Sequence, residues 1–258
     1  MDKIVKSMIV KVVIPIYRAL TELEYLSLNN TAKVLADYPI EVIYPEGLSV
    51  ESLAGEFPAL AFRAVSQEWL GVKNGIAGYN KMCLSEEFYA MYADYDYILI
   101  CHTDAWIFRD ELKEWCAKGY DCVAAPWLRR PVYNLPIVKQ YMAWRAKRAT
   151  KPTRQILYGK VGNGGLSLRK VGSFMRVCRS EADTIARFNG ESHHLYNEDV
   201  FWATVPKEFV YPEEMEALRF AIDTHPNYCY GVLGKQLPFG CHSWTKPKFY
   251  KFWRRFIR

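Results

Sequence analysis

The stretch from residue 95 to residue 106 constrains the fold more than any other part of the sequence. Residues 98–101 form a short apolar run, the pattern of a strand buried on both faces of a parallel sheet. The run ends abruptly in His102, Thr103 and Asp104. Because ligands of open α/β sheets bind outside the carboxyl ends of the strands, this pattern predicts metal- or phosphate-handling groups in a site. The alternative is an aspartate that only caps the next helix.

Strand-like and helix-like patterns alternate along the rest of the chain. The predicted strands are residues 8–16, 40–44, 60–65, 98–101 and 121–125, with a further strand ending at Arg169. The predicted helices are 21–37, 77–91, 112–116 and 171–179, with another beginning near 197. Residues 221–244 are predicted to be irregular. This order predicts an α/β fold with a doubly wound, mostly parallel, Rossmann-like sheet.

Composition excludes several classes of protein. Half of the 258 residues are apolar, which is enough for one large domain and argues against disorder. Residues 1–11 lack the pattern of a secretory signal, and no apolar run is long enough to cross a bilayer. The seven cysteines are scattered and form no CxxC pair, which indicates neither disulfides nor structural zinc and favours a reducing cytoplasm.

The net charge of +6 is unevenly distributed. Residues 129–154 contain eight basic side chains and no acid, and residues 246–258 contain six more and no acid, so the remainder carries −8. This asymmetry predicts an anionic partner met at particular places. We interpret 1–245 as one catalytic domain, in which 129–154 is a basic insertion or mobile segment, followed by an amphipathic tail from 246 to 258.

The tail has apolar side chains at helical spacing and basic side chains elsewhere. We interpret it as an interfacial helix that binds the anionic inner face of the cell membrane. The predicted membrane contacts are Phe249, Phe252, Trp253, Phe256, Lys251, Arg254 and Arg255. The alternative is a terminal helix docked on the protein's own core.

Three further groups of residues are candidates for the site. The twin glycines Gly164 and Gly165 allow a backbone to approach a ligand closely, although a simple hairpin turn is the alternative. The adjacent acids Glu198 and Asp199 suit general-base chemistry, although acids also favour a helix N-terminus for structural reasons. With a carboxylate, His242 suits a shell for Mn²⁺ or Mg²⁺.

Taken in order, these segments resemble a GT-A glycosyltransferase. The similarity covers VVIPIYR at 12–18, Glu46, KNGIAGYN at 73–80, HTD at 102–104, GGLSLR at 164–169, NED at 197–199 and His242. HTD falls at the family's DxD motif, with His102 in the place of the first aspartate. More narrowly, HTDAWIF, GNGGLSLR and NEDVFW are similar to a poorly characterised bacterial glycosyltransferase-like family associated with surface polysaccharides.

The resemblance implies roles for individual residues. The implied donor contacts are Pro15, Tyr17, Arg18, Glu46, Lys73, Asn80, His102, Thr103, Asp104, Gly164, Gly165 and Arg169. The implied metal ligands are Asp104, His242 and His102, and the metal is Mn²⁺ or Mg²⁺. Asp199 is expected to act as the base of an inverting transfer, with Glu198 as a second catalytic acid. The expected acceptor contacts are Trp127, His194 and Trp244.

The expected activity is therefore transfer of a sugar from a nucleotide donor, a UDP-sugar, to a glycan or lipid-linked glycan in O-antigen or capsule synthesis. One alternative is a nucleotide-sugar nucleotidyltransferase, which usually needs a glycine-rich basic loop after the first strand; residues 15–18 form no such loop. Another is a non-catalytic module that binds membranes or nucleic acid. Nucleic acid is not expected, because no recognised binding motif appears and the body of the chain is acidic.

Overall fold

Helices and strands alternate in the computed structural model, which describes residues 9–149 and 153–257. The strands in this part are β1 (Val10–Pro15), β2 (Ile40–Pro45), β3 (Ala61–Val65), β4 (Tyr97–Cys101), β5 (Trp106–Ile107), β6 (Cys122–Ala124), β7 (Leu166–Lys170), β8 (Ala221–Ile222) and β9 (Gly240–Cys241). The first seven helices are α1 (Glu22–Val34), α2 (Glu51–Glu56), α3 (Gln67–Leu70), α4 (Gly75–Cys83), α5 (Glu86–Ala90), α6 (Leu112–Ala117) and α7 (Pro136–Arg148). The others are α8 (Val171–Ser180), α9 (Ala182–Asn189), α10 (Glu198–Thr204), α11 (Glu214–Phe220), α12 (Pro226–Val232) and α13 (Pro247–Trp253).

Six of the strands form one sheet in the order β3-β2-β1-β4-β7-β6. The strands β3, β2, β1 and β4 are parallel, whereas β7 runs antiparallel to β4 and β6. The predicted α/β fold with a mostly parallel sheet is confirmed. Some predictions fall outside the described residues. They are the start of the first strand at Met8, the interpretation of residues 1–8 as lacking a secretory signal, and the roles of the basic residues Lys151 and Arg258.

Successive side chains of the central strands enter two separate cores, because side chains alternate between the faces of a strand. Leu99 joins a cluster on one face, where Leu28 of α1 also packs. Ile98 and Ile100 join the cluster on the other face, which contains Phe174 of α8. A sheet covered on both sides explains why 98–101 is apolar without alternation. It also means that residues beyond the strand ends are the ones left free to bind ligands.

The sequence patterns differ from the structure in two places that bear on the site. The predicted helix over 77–91 is two helices, because Ser85 interrupts it and caps α5, its hydroxyl accepting a hydrogen bond from the Phe88 backbone N–H at 3.2 Å. The segment 221–244, predicted to be irregular, contains α12 and two strands of a second sheet in the order β5-β9-β8. This small sheet sets the position of His242, which follows β9.

The C-terminal helix α13 docks on the protein's own core. Trp253 is fully buried, and its ring centroid lies 5.6 Å from that of Phe108. Phe249 and Ile257 are also buried in the same cluster. The prediction that the apolar face of the tail enters a membrane is therefore wrong for Phe249 and Trp253, since burying them inside the protein removes the same area from water.

The other predicted membrane residues divide between the two faces of the tail. Phe252 and Phe256 are half-buried against Tyr230. Lys251, Arg254 and Arg255 are exposed. Among the helices of residues 9–149 and 153–257, none combines the length and the apolar character needed to cross a bilayer.

Replacing Trp253 by alanine is expected to lower the free energy of unfolding by about 3–5 kcal/mol, the usual cost of removing a fully buried aromatic side chain. Denaturant unfolding followed by circular dichroism measures it. Lys251→Ala is the matched control, because Lys251 lies on the exposed face of the same helix. Equal stability of Trp253→Ala and wild type would show that the tail does not belong to the core.

Candidate active site

A cavity of about 700 Å³ lies where the carboxyl ends of β1 and β4 meet the start of β7. It has the size of a pocket for a small molecule or cofactor. The predicted residues that line it are Pro15, Tyr17, Arg18, Asn80, His102, Thr103, Asp104, Gly164, Gly165, Glu198, Asp199 and His242. Because β7 is antiparallel, its N-terminal end lies at the same sheet edge as the carboxyl end of β4, which brings the glycine pair beside the HTD segment.

The three predicted metal ligands form one cluster. Donor atoms of His102, Asp104 and His242 all lie within 4.8 Å of one another. The Asp104 carboxylate is 3.0 Å from Nε2 of His242, and the His102 ring is 5.6 Å from the His242 ring between centroids. Imidazole nitrogens with a carboxylate oxygen form a donor set that fits a divalent cation such as Mn²⁺.

A half-buried carboxylate that the sequence analysis missed holds His242 in place. Nδ1 of His242 lies 2.8 Å from Oδ1 of Asp223, which follows β8. A second carboxylate behind a ligating histidine fixes the ring and is a common feature of metal centres. The pattern that points to Asp223 is a short apolar strand ending in an acid, as at Asp104, but β8 has only two residues.

The charges of this cluster depend on burial and on each other. Burial lowers the pKa of His102 to about 3, which leaves a neutral imidazole able to bind a metal. Burial also works against a charge on His242, but Asp104 and Asp223 outweigh it and raise the pKa of His242 to about 10. The proton of His242 thus occupies the place that a cation would take.

Binding of Mn²⁺ is expected to release about one proton at pH 7, because His242 must lose a proton to become a ligand. The apparent affinity should rise about tenfold per pH unit below the pKa of His242. Calorimetric titration in buffers of different ionisation enthalpy measures the proton. Binding without proton release, or equal binding by His242→Ala, contradicts the assignment; exposed His194→Ala is the control.

The twin glycines let the backbone pass close to Glu198 and His242. A Cβ at Gly165 would collide with the ring of His242, and a Cβ at Gly164 would collide with the Glu198 carboxylate. The backbone carbonyl of Gly165 also accepts a hydrogen bond from the His102 N–H at 2.9 Å. The close approach predicted for this segment is thus an approach to protein side chains on the cavity wall.

Glu198 is held by a buried arginine on the sheet. Arg169 donates to Glu198 at 3.0 Å and to the hydroxyls of Tyr89 and Ser167 at 2.8 and 3.0 Å. Arg169 is 1% exposed and does not line the cavity, so its predicted donor contact is wrong: its three nitrogens already have partners inside the protein. The ion pair ties the first turn of α10 to β7.

Asn80 makes a second attachment to the same helix. Its side-chain oxygen accepts from the backbone N–H of Glu198 at 3.1 Å, and its amide donates to Asn197, also at 3.1 Å. Asn80 lines the cavity as predicted. These two hydrogen bonds cap α10 and hold its first turn in position.

Asp199 is left half-buried on the cavity wall. Its carboxylate accepts a hydrogen bond from the backbone N–H of Val200 at 2.8 Å. Burial, together with the negative charge of Glu198, raises the pKa of Asp199 to about 7. A carboxylate whose pKa lies near neutrality is suited to general-base catalysis.

The part of the chain that contains most of the site matches a known protein family. A family described as protein of unknown function, DUF5672, matches residues 59–242, which is more than half of the chain. The chain belongs to the DUF5672 family. The match includes every element of the site from Tyr79 to His242. No curated protein matches the DUF5672 chain.

Solved structures similar to the DUF5672 chain are glycosyltransferases. The galactosyltransferase LgtC, solved with donor and acceptor sugar analogs, is 12% identical with a TM-score of 0.56, over 96% of this chain and all of that one. Mouse xyloside xylosyltransferase 1 is 13% identical with a TM-score of 0.56, over 90% and 96%. The glycosyltransferase GlyE of Streptococcus pneumoniae is 10% identical with a TM-score of 0.53, over 97% and 60%. At this identity the similarity shows the fold, which is the predicted GT-A fold.

Several predicted contacts of the DUF5672 chain lie elsewhere. Trp244, a predicted acceptor contact, is 1% exposed and donates its indole N–H to Ser27 at 2.8 Å, so it is a core residue and that prediction is wrong. The cavity lining does not include Glu46, Lys73, Trp127 or His194, whose roles stay predictions. The cavity is also lined by residues that were not among the predicted site residues, although three of them lie inside the quoted motifs: Tyr79, Asn163, Asn197 and Lys246.

Proposed function

We propose that this DUF5672 chain is a glycosyltransferase that moves a sugar from a nucleoside-diphosphate donor, a UDP-sugar, to a hydroxyl of a glycan. One observation carries the proposal: the His102–Asp104–His242 cluster and Asp199 line the same cavity. Glycosyltransferases of the same fold, among them a galactosyltransferase solved with sugar analogs, support it.

The metal cluster would serve the donor diphosphate. His102, Asp104 and His242 would hold a divalent cation, Mn²⁺ or Mg²⁺, which supplies positive charge to the departing diphosphate when it is bound. Two imidazoles favour Mn²⁺ over Mg²⁺, since Mg²⁺ prefers oxygen ligands. Asp223 keeps the His242 ring oriented, and Lys246 adds a positive charge to the cavity wall.

Asp199 would act on the acceptor. Its carboxylate removes the proton of the acceptor hydroxyl while that oxygen attacks the anomeric carbon and the bond to the diphosphate breaks. Attack from the side opposite the leaving group inverts the anomeric configuration. Arg169 and Asn80 keep the first turn of α10, and therefore Asp199, in position.

We infer further that the acceptor is a surface-polysaccharide or lipid-linked glycan and that the chain works at the inner face of the cell membrane. The support is the sequence similarity to a surface-polysaccharide family described above. We propose that residues 129–154 are a basic insertion in the catalytic domain, and that α13, although it follows residue 245, belongs to the same domain because it packs on its core.

The test is a screen of nucleotide-sugars for donor hydrolysis and thermal stabilisation, with and without Mn²⁺. We expect stabilisation by UDP or a UDP-sugar that depends on Mn²⁺, and slow donor hydrolysis in the same mixture. Single-stranded oligonucleotide, and a sugar 1-phosphate with UTP, probe the two alternatives. Stabilisation by oligonucleotide alone, or release of pyrophosphate from UTP, would overturn the proposal.

A further inference from the structure

The helix α7 exposes large apolar side chains to solvent. None of its thirteen residues is buried. Ile137 is 83% exposed, Tyr141 55% and Trp144 50%. Large apolar groups clustered on a protein surface mark an interaction site more often than isolated ones do.

These three side chains lie on one face of α7, because their spacing of four and then three residues matches the helical repeat. Tyr141 and Trp144 stack with ring centroids 6.0 Å apart, and the Arg148 guanidinium lies 4.4 Å from the Trp144 ring. Arg145 and Lys147 flank this face, each about 80° away around the helix axis.

The opposite face of α7 is directed toward the protein. Its residues Val138, Met142 and Ala146 are half-buried, and the Met142 carbonyl accepts a hydrogen bond from Gln155 at 2.9 Å. The exposed apolar face is therefore the outer one, and no contact within the described residues covers it.

The outer face belongs to a segment that is rich in basic side chains. Residues 129–154 contain no acid, and seven of their eight basic residues lie in the described part: Arg129, Arg130, Lys139, Arg145, Lys147, Arg148 and Arg154.

We propose that the outer face of α7, with Arg145, Lys147 and Arg148 beside it, binds the surface of an anionic phospholipid bilayer. An interface of this kind takes aromatic and aliphatic side chains among the headgroups while basic residues meet the lipid phosphates. Binding of nucleic acid would explain the basic side chains but not the exposed apolar side chain of Ile137. Dimerisation through this face would bring like charges together. The proposal does not depend on the transferase activity.

Cosedimentation of the full chain with lipid vesicles tests the proposal. We expect wild type to bind phosphatidylcholine vesicles containing phosphatidylglycerol at least about tenfold more tightly than pure phosphatidylcholine vesicles. The combined Ile137→Ser, Tyr141→Ser, Trp144→Ser variant should lose at least about tenfold in binding to the anionic vesicles, and so should Arg145→Gln, Lys147→Gln, Arg148→Gln. Thermal unfolding of both variants should match wild type, since none of these side chains is buried.

The matched control is Val210→Ser with Met215→Ser, which removes exposed apolar side chains outside residues 129–154 and should leave vesicle binding unchanged. A second readout is tryptophan fluorescence, whose blue shift on adding anionic vesicles should be reduced in Trp144→Phe. Unchanged vesicle binding by the apolar variant would overturn the proposal. Binding to single-stranded oligonucleotide but not to vesicles, or dimerisation through α7 without vesicle binding, would overturn it as well.

Discussion

Replacing Asp199 by asparagine is expected to reduce sugar transfer by roughly 10²–10⁴-fold, the usual contribution of a general base. Asparagine keeps the size of the side chain and the contact with the Val200 N–H, but it cannot take a proton from the acceptor. Binding of the nucleotide-sugar should change little, because the predicted metal ligands are elsewhere on the wall. Transfer assays together with donor titration measure both quantities.

The pH dependence gives an independent check on the same residue. Because the pKa of Asp199 lies at about 7, kcat/KM of wild type should rise as the pH increases through 7 and then level off. The residual activity of Asp199→Asn should lack this rise. Transfer with retention of the anomeric configuration, or full activity of the variant, would remove the base assignment.

Stability should move in the opposite direction to activity. Since the pKa of Asp199 is raised above its ordinary value of 3.8, its ionisation lowers the free energy of unfolding as the pH rises from about 4 to about 7. Asp199→Asn should therefore melt at a higher temperature than wild type at pH 8 and at a similar one near pH 4. Asp183→Asn, at an exposed acid in the first turn of α9, is the control and should change neither activity nor this difference.

Replacing Arg169 by methionine is expected to destabilise the fold by about 3–5 kcal/mol, because it leaves the Glu198 carboxylate buried without its partner. Glu198 is 3% exposed, and burial already raises its pKa against the opposing effect of Arg169. The melting temperature should fall by roughly 10 °C, at about 2–4 °C per kcal/mol for a chain of this size. Differential scanning calorimetry measures it.

Two controls separate the buried charge from a general effect of the substitution. Arg179→Met removes an exposed ion pair with Glu86 and should cost less than about 1 kcal/mol. Arg169→Met combined with Glu198→Met should recover much of the loss, because two apolar side chains leave no buried charge. If the double variant is no more stable than Arg169→Met, the buried pair is not the cause.

The strand ends of the site could be predicted from sequence because they depend on local pattern. The apolar run before His102 and Asp104 predicts a buried strand, and the ends of neighbouring strands meet at one edge of a sheet. Gly165 and His242 also line the cavity, but they were expected there from the glycine pair and from the resemblance to GT-A glycosyltransferases, and not from a strand end. Site residues that follow very short elements are harder to predict from sequence. Asp223 is an example, because the strand before it, β8, has only two residues.

What the sequence by itself determined is which residues end the buried strands and begin the helices, since hydrophobic periodicity and capping act over a few neighbouring positions. What only the tertiary structure decided is the partner of each side chain. The pattern of α13 is the same whether Trp253 enters a bilayer or the protein core. The sequence around Arg169 is equally compatible with a guanidinium that binds a diphosphate and with one that pairs with Glu198. The physical reason is that burial and charge pairing lower the free energy with any suitable partner, and folding selects the one that the chain brings nearest.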